Sequence, residues 1–139
     1  MKKYINLSFI YAIIALISGV FYREFTKFND FTGTTTLSIL HTHLFILGMF
    51  LFLILAIMVK QLGLQNNKKL KYFDIVYNAG LILTVIMFAV RGVMQVLEIS
   101  LSKGGNAAIS GFAGIGHILL SIGIILFFVI LRDGCKETN

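Results

Sequence analysis

The chain has 139 residues, of which 58% are hydrophobic and 13% charged, and it contains neither Pro nor Trp. Its length allows one domain, residues 1–139, and a mean hydropathy of +0.90 excludes a water-soluble globule, whose core needs far less apolar material. The formal net charge of +6 raises the question of a nucleic-acid partner, which the placement of the cations answers in another way.

In chain order, the apolar residues fall into four blocks: Ile5 to Tyr22, Leu37 to Val59, Phe73 to Leu97 and Ala108 to Leu131. Each is near the ~20 residues that carry a helix across a bilayer core of ~30 Å. The expected fold is an all-α membrane protein, a four-transmembrane-helix antiparallel bundle. A membrane barrel is excluded because its strands are short and alternate apolar with polar residues, whereas Leu44 to Val59 and Ile118 to Leu131 are continuously apolar. The first block has no small-residue cleavage site before Arg23 and is expected to be retained as a span. Between the first two helices, Thr34 to Thr36 or Ser38 supply candidate caps, and Lys103-Gly104-Gly105-Asn106 predicts a flexible turn before the fourth.

Lys2, Lys3, Lys60, Lys68, Lys69, Lys71, Arg132 and Lys136 all fall on one side of this arrangement, against Arg23, Lys27 and Lys103 on the other. The positive-inside rule then places both termini and the Lys-rich loop in the cytoplasm. The basic balance therefore needs no nucleic acid. The single Cys135 excludes an internal disulfide.

Polar side chains inside a span cost several kcal/mol and are functional-site candidates by default. All three histidines are in spans: His41 and His43 on the second helix and His117 on the fourth. At about 1.5 Å per residue, His41 and His43 lie roughly 6 to 9 Å from the outer end of their helix and His117 about 13 Å from its own. Arg91 lies about 10 Å deep on the third helix, in a stripe with Thr84, Gln95 and Glu98. On the fourth helix Ser110, Gly114, His117 and Ser121 share a face, small enough for close packing or for a flat slot beside the histidine.

Residues two apart on a helix point about 200° apart, so His41 and His43 cannot ligate one ion together. This disfavours a compact zinc or copper site and leaves two different cofactors, one cofactor with one hydrogen-bonding role, or ligands shared between subunits. Haem b fits these best, with axial histidines from His41, His43 and His117 and the cations Arg91 and Arg23 for the propionates.

The run His41-Thr42-His43-Leu44-Phe45-Ile46-Leu47-Gly48 resembles the His-x-His-Leu-x-x-x-Gly helix around the haems of the haem-copper oxidase superfamily and its nitric oxide reductase and NnrS-type relatives. The whole chain, including Phe21-Tyr22-Arg23-Glu24-Phe25 and Thr35-Thr36-Leu37-Ser38, resembles a small bacterial four-helix membrane family of unknown function. The oxidase resemblance implies that one four-helix unit forms a homotrimer in which His41 of one protomer and His43 of the next flank a haem. It also implies electron transfer, with quinol as a candidate redox partner, or redox or gas sensing. No residues match the oxidase copper site, so oxygen reduction is not expected. The rival expectations are a metal-binding or transport module without haem, and a structural subunit of a larger membrane complex.

Overall fold

The computed structural model describes residues 1–137; for residues 136–137 only the backbone is described, so the Lys136 charge counted above lies outside the described side chains. Four helices are long and apolar enough to cross a bilayer: α1 (Lys2–Phe28), α2 (Leu37–Gln61), α3 (Lys69–Val96) and α4 (Lys103–Glu137). Large apolar side chains such as Ile17, Val20, Ile46 and Phe128 point outward, which suits lipid and not water. The chain is thus a multi-pass membrane protein.

Each helix is longer than the apolar block that announced it, although α2 starts with its block at Leu37 and α3 stops at Val96, one residue short of Leu97. The largest departure is at α4. Lys103 to Asn106, expected as a flexible turn, is the first turn of that helix. Ser102 caps it, its Oγ accepting the Gly105 N–H at 3.1 Å. Of the expected threonine caps of α2, Thr35 does act as one, its Oγ1 accepting the Leu37 N–H at 3.3 Å. Thr36 is already in the right-handed helical region, so its hydroxyl does not cap; it donates to the Phe88 carbonyl at 2.7 Å, while the Thr35 hydroxyl donates to the Gly92 carbonyl at 2.9 Å. The α1–α2 connection is thereby tied to α3.

Neighbouring helices run antiparallel. Gly19 faces His41 while Tyr11 faces Gly48, and along α3 and α4 Gly80 meets Leu120 while Tyr77 meets Gly123. Helices α1, α2 and α3 enclose the core, and α4 packs chiefly along α3. Glycines set that last approach: a Cβ at Gly80 would lie 2.7 Å from the Leu120 backbone nitrogen, and one at Gly123 would lie 2.6 Å from the Tyr77 ring.

The two ends of the core differ. The lysine-rich half is filled by aromatics: Phe52 stacks on Tyr11 at 5.6 Å between ring centres and meets Tyr77 edge-on at 5.7 Å. The half that holds the histidines is closed by aliphatic residues, Leu37, Leu40, Leu44 and Leu81, and keeps its imidazoles toward the margin.

Candidate functional site

The second span changes helical geometry just after His43. Leu44 to Phe50 forms a wide π-helical segment between α-helical stretches. Such a segment leaves its carbonyls less tightly paired than an α-helix does. Neighbouring helices supply hydroxyls to it. Tyr77 of α3 donates to the Leu47 carbonyl at 2.8 Å, and Ser8 of α1 donates to the Met49 carbonyl at 2.8 Å. Between them the Tyr11 ring lies against Gly48, where a Cβ would fall 2.6 Å from it. Two helices, α1 and α3, thus grip three consecutive residues of α2 one turn below the histidines, which fixes the rotation of the histidine-bearing turns.

His41 and His43 accordingly face different neighbours. His41 lies against α1, close enough that a Cβ on Gly19 would sit 3.7 Å from its Cβ and Cγ; its Nδ1 is buried and has no hydrogen-bond partner. His43 turns toward α3, its ring edge-on to Phe88 at 4.9 Å. His117 of α4 meets the same Phe88 ring at 5.8 Å. The fold therefore brings His43 and His117 to one aromatic side chain and keeps His41 apart from them.

These two imidazoles share a second property. His43 Nδ1 lies 2.9 Å from the Ile39 carbonyl oxygen, and His117 Nδ1 lies 2.7 Å from that of Ala113, each four residues earlier on its own helix. A carbonyl can only accept, so in both rings Nδ1 carries the proton and donates it. Nε2 of each is then left with its lone pair, directed away from its own backbone, the tautomer that a metal-ligating histidine needs.

Arg91 follows Phe88 by three residues, about one helical turn nearer the end of α3, and its guanidinium donates to Ser110 Oγ at 2.7 Å. It lines a cavity of about 390 Å³ with Gln95, Ser100 and Asn106. Of the stripe expected on α3, Thr84 is fully buried against Gly116 and Gln95 Oε1 accepts the Thr36 N–H at 2.8 Å, while Glu98 lies beyond the helix at a φ of 52°. The small residues of α4 divide into two sets. Gly116 and Gly123 pack on α3, whereas nothing approaches Gly111 or Gly114 within 4 Å, leaving open surface one turn from the exposed His117. Arg23 is not drawn into this cluster; it is 81% exposed on α1, with Nε 3.7 Å from the Glu24 carboxylate.

The architecture agrees with one comparison. The chain belongs to a family of proteins of unknown function, DUF2871. The match covers residues 1–134, which takes in the first three spans whole and nearly all of the fourth. No curated protein and no solved structure matches the chain. Membership therefore assigns no chemistry, and the side chains have to be read for themselves.

Among the described residues, no three His, Cys, Asp or Glu side chains are grouped to hold a metal ion. The protein's own donors near His43 are thus few: two imidazoles, one guanidinium and the Ser110 hydroxyl. The Phe88 contacts to both histidines were not foreseeable from the polar residues, since a phenylalanine in an apolar span carries no signal of its own.

Proposed function

We propose that this protein is a membrane haem b protein with histidine axial ligands, serving electron transfer or redox or gas sensing. The observation that carries the reading is the convergence of His43 and His117 on one side of α3; each ring is bonded to a main-chain carbonyl of its own helix and Phe88 fills the space between them, so a macrocycle would have to displace Phe88. The residues fit the group on three counts. The open surface at Gly111 and Gly114 gives a planar macrocycle somewhere to lie, Arg91 stands one turn away for a propionate, and two imidazoles from different helices converge beside it. Bound haem supplies one-electron iron chemistry, tuned by its axial ligands and by burial. The chain's residues hold and orient it: the Ile39 and Ala113 carbonyls fix the ring planes, and the π-helical grip fixes the turn of α2.

His43 and His117 are the ligand pair in this reading. Phe88 lies against both rings and would have to turn aside for a macrocycle to reach them. The wider parts of the proposal are that the four-helix unit is related to one set of haem-copper oxidase helices, lies in a bacterial inner membrane with both termini cytoplasmic, and exchanges electrons with quinol or another redox partner.

A second arrangement has its own support. His117 is exposed within a span, beside open Gly111 and Gly114, and a bare imidazole facing lipid is costly. Other copies in a homotrimer would cover it, and the haem would then be shared between protomers, with His41 as a further ligand.

Protein purified from haem-replete cells is expected to show a Soret band that His43→Ala and His117→Ala each abolish. Colourless wild-type protein would overturn the haem reading. Co-expression of the two single variants separates the arrangements: ligation within a protomer leaves the mixture colourless, and ligation between protomers restores part of the band.

A further inference from the structure

The lysine-rich end carries a second site, independent of the histidines. The chain leaves α2 through Gly63, whose φ of +63° glycine adopts without strain, and Leu64 is buried beneath the turn. Asn67 then begins α3, its Oδ1 accepting the Lys69 N–H at 2.9 Å, which leaves its amide group as a donor. Between this connection, the start of α1 and the first turns of α3 lies a pocket of about 500 Å³.

The cations at this end are not equivalent. Lys69 pairs with Asp133 at 2.7 Å. Lys3 pairs with Asp74, the one acid lining the pocket, whose Oδ2 also accepts the Tyr4 hydroxyl at 3.3 Å while its Oδ1 is buried without a partner. Lys68 and Lys71 line the same pocket and have no acidic partner among the described residues. Gln65 and Asn67 add amide donors. A topological bias alone requires cations on this side of the membrane, but not two without an acidic partner beside one concavity.

The remaining wall is apolar. Val59 and Leu70 form its inner part, and Ile75, 60% exposed, continues it onto the lipid-facing surface. A site for a fully hydrated anion has no use for such a wall, whereas a phosphate diester that carries acyl chains needs both halves.

We infer that this pocket seats the headgroup of an anionic phospholipid, the Lys68 and Lys71 ammonium groups and the Gln65 and Asn67 amides donating to the phosphate while an acyl chain follows Ile75. Basic pockets at the ends of membrane helices are suited to this ligand class.

The test is native mass spectrometry of the full-length protein in detergent, titrated with phosphatidylglycerol and, separately, with phosphatidylcholine. Wild type should retain phosphatidylglycerol in preference. Lys68→Gln with Lys71→Gln should weaken that retention about 30-fold, the factor that two interfacial cations supply. Lys2→Gln with Lys60→Gln, which removes the same charge outside the pocket, should leave it unchanged. Equal weakening by both pairs, or by neither, would overturn the assignment. Helical circular dichroism checks the fold of each variant, and Lys71→Arg, which keeps the charge, should retain the lipid. Displacement of phosphatidylglycerol by millimolar inorganic phosphate would show a free-phosphate site and likewise overturn the lipid assignment. None of these readouts involves haem, so this proposal and the preceding one fail separately.

Discussion

His43 and His117 arrive from different helices, yet each is held in the same way: Nδ1 donates to the carbonyl four residues earlier, at 2.9 and 2.7 Å, and the ring rests on Phe88. One tautomer is therefore expected for both in the haem-free protein. Nitrogen NMR of histidine-labelled protein should show a protonated Nδ1 and a basic Nε2 for these two. His41, whose Nδ1 meets no acceptor, should not share that fixed pattern. The opposite tautomer at His43 would remove the basis for ligation through Nε2.

The grip on the π-helical segment gives a stability prediction. Tyr77→Phe removes the hydroxyl that reaches the Leu47 carbonyl, and Ser8→Ala removes the one that reaches Met49. Hydrogen bonds between membrane helices contribute about 0.6 kcal/mol on average, up to about 1.7. Each single variant should lose about that much in reversible detergent unfolding. The double variant should, in addition, show faster amide exchange over Leu44 to Phe50 than over the rest of the span. Equal exchange along α2 would mean that the hydroxyls do not hold the segment.

Much of this architecture is legible in the sequence, for simple reasons. Apolar blocks near the length of a bilayer crossing announce the four spans, and the two-residue spacing of His41 and His43 already requires them to face apart. What is not legible depends on pairing between helices. No proline marks the π-helical segment, and Gly48 looks like any small packing residue until the Tyr11 ring is seen against it. Lys103 to Asn106 reads as a turn because of its two glycines, although Ser102 three residues before Gly105 was a cap signal in plain view. The glycines of α4 look alike in sequence; only the neighbouring helix separates the packed Gly116 and Gly123 from the open Gly111 and Gly114.

That separation can be tested. A Cβ at Gly80 would fall 2.7 Å from the Leu120 nitrogen and 3.0 Å from the Gly116 carbonyl oxygen, both backbone atoms that cannot turn away. Gly80→Ala should therefore push α3 and α4 apart and cost about 1–3 kcal/mol, the usual range for overpacking. Gly114→Ala meets nothing within 4 Å and should leave stability unchanged in detergent. A loss of oligomer or of haem in Gly114→Ala would instead show that this open surface is covered in the assembly.

Arg91 offers a charge-specific readout. Its guanidinium reaches Ser110 Oγ at 2.7 Å and lines the cavity nearest the proposed propionates. A hydrogen bond to a charged group contributes about 1.5–3 kcal/mol. Arg91→Gln should thus weaken haem affinity by roughly ten- to a hundredfold while keeping the Soret position, since the axial ligands are untouched. Ser110→Ala, which removes only a neutral acceptor, should have a much smaller effect. An unchanged affinity in Arg91→Gln would remove Arg91 from the site.

Phe88 is the residue whose substitution best separates a haem site from simple packing. Its ring lies against both His43 and His117, and its carbonyl is held by the Thr36 hydroxyl at 2.7 Å, so the backbone is fixed while the side chain can rotate. If the ring must leave its place for a macrocycle to reach both imidazoles, then Phe88→Ala removes that obstacle. Haem uptake by the apoprotein should become faster, even though a large-to-small change of this kind costs about 3–5 kcal/mol when a ring is fully buried, and less at this partly buried position. Phe88→Trp should slow uptake, because the larger ring has less room to swing. A packing role predicts the reverse for Phe88→Ala: lower stability with slower or absent uptake. Stopped-flow absorption of the three proteins, followed at the Soret band, distinguishes the two patterns.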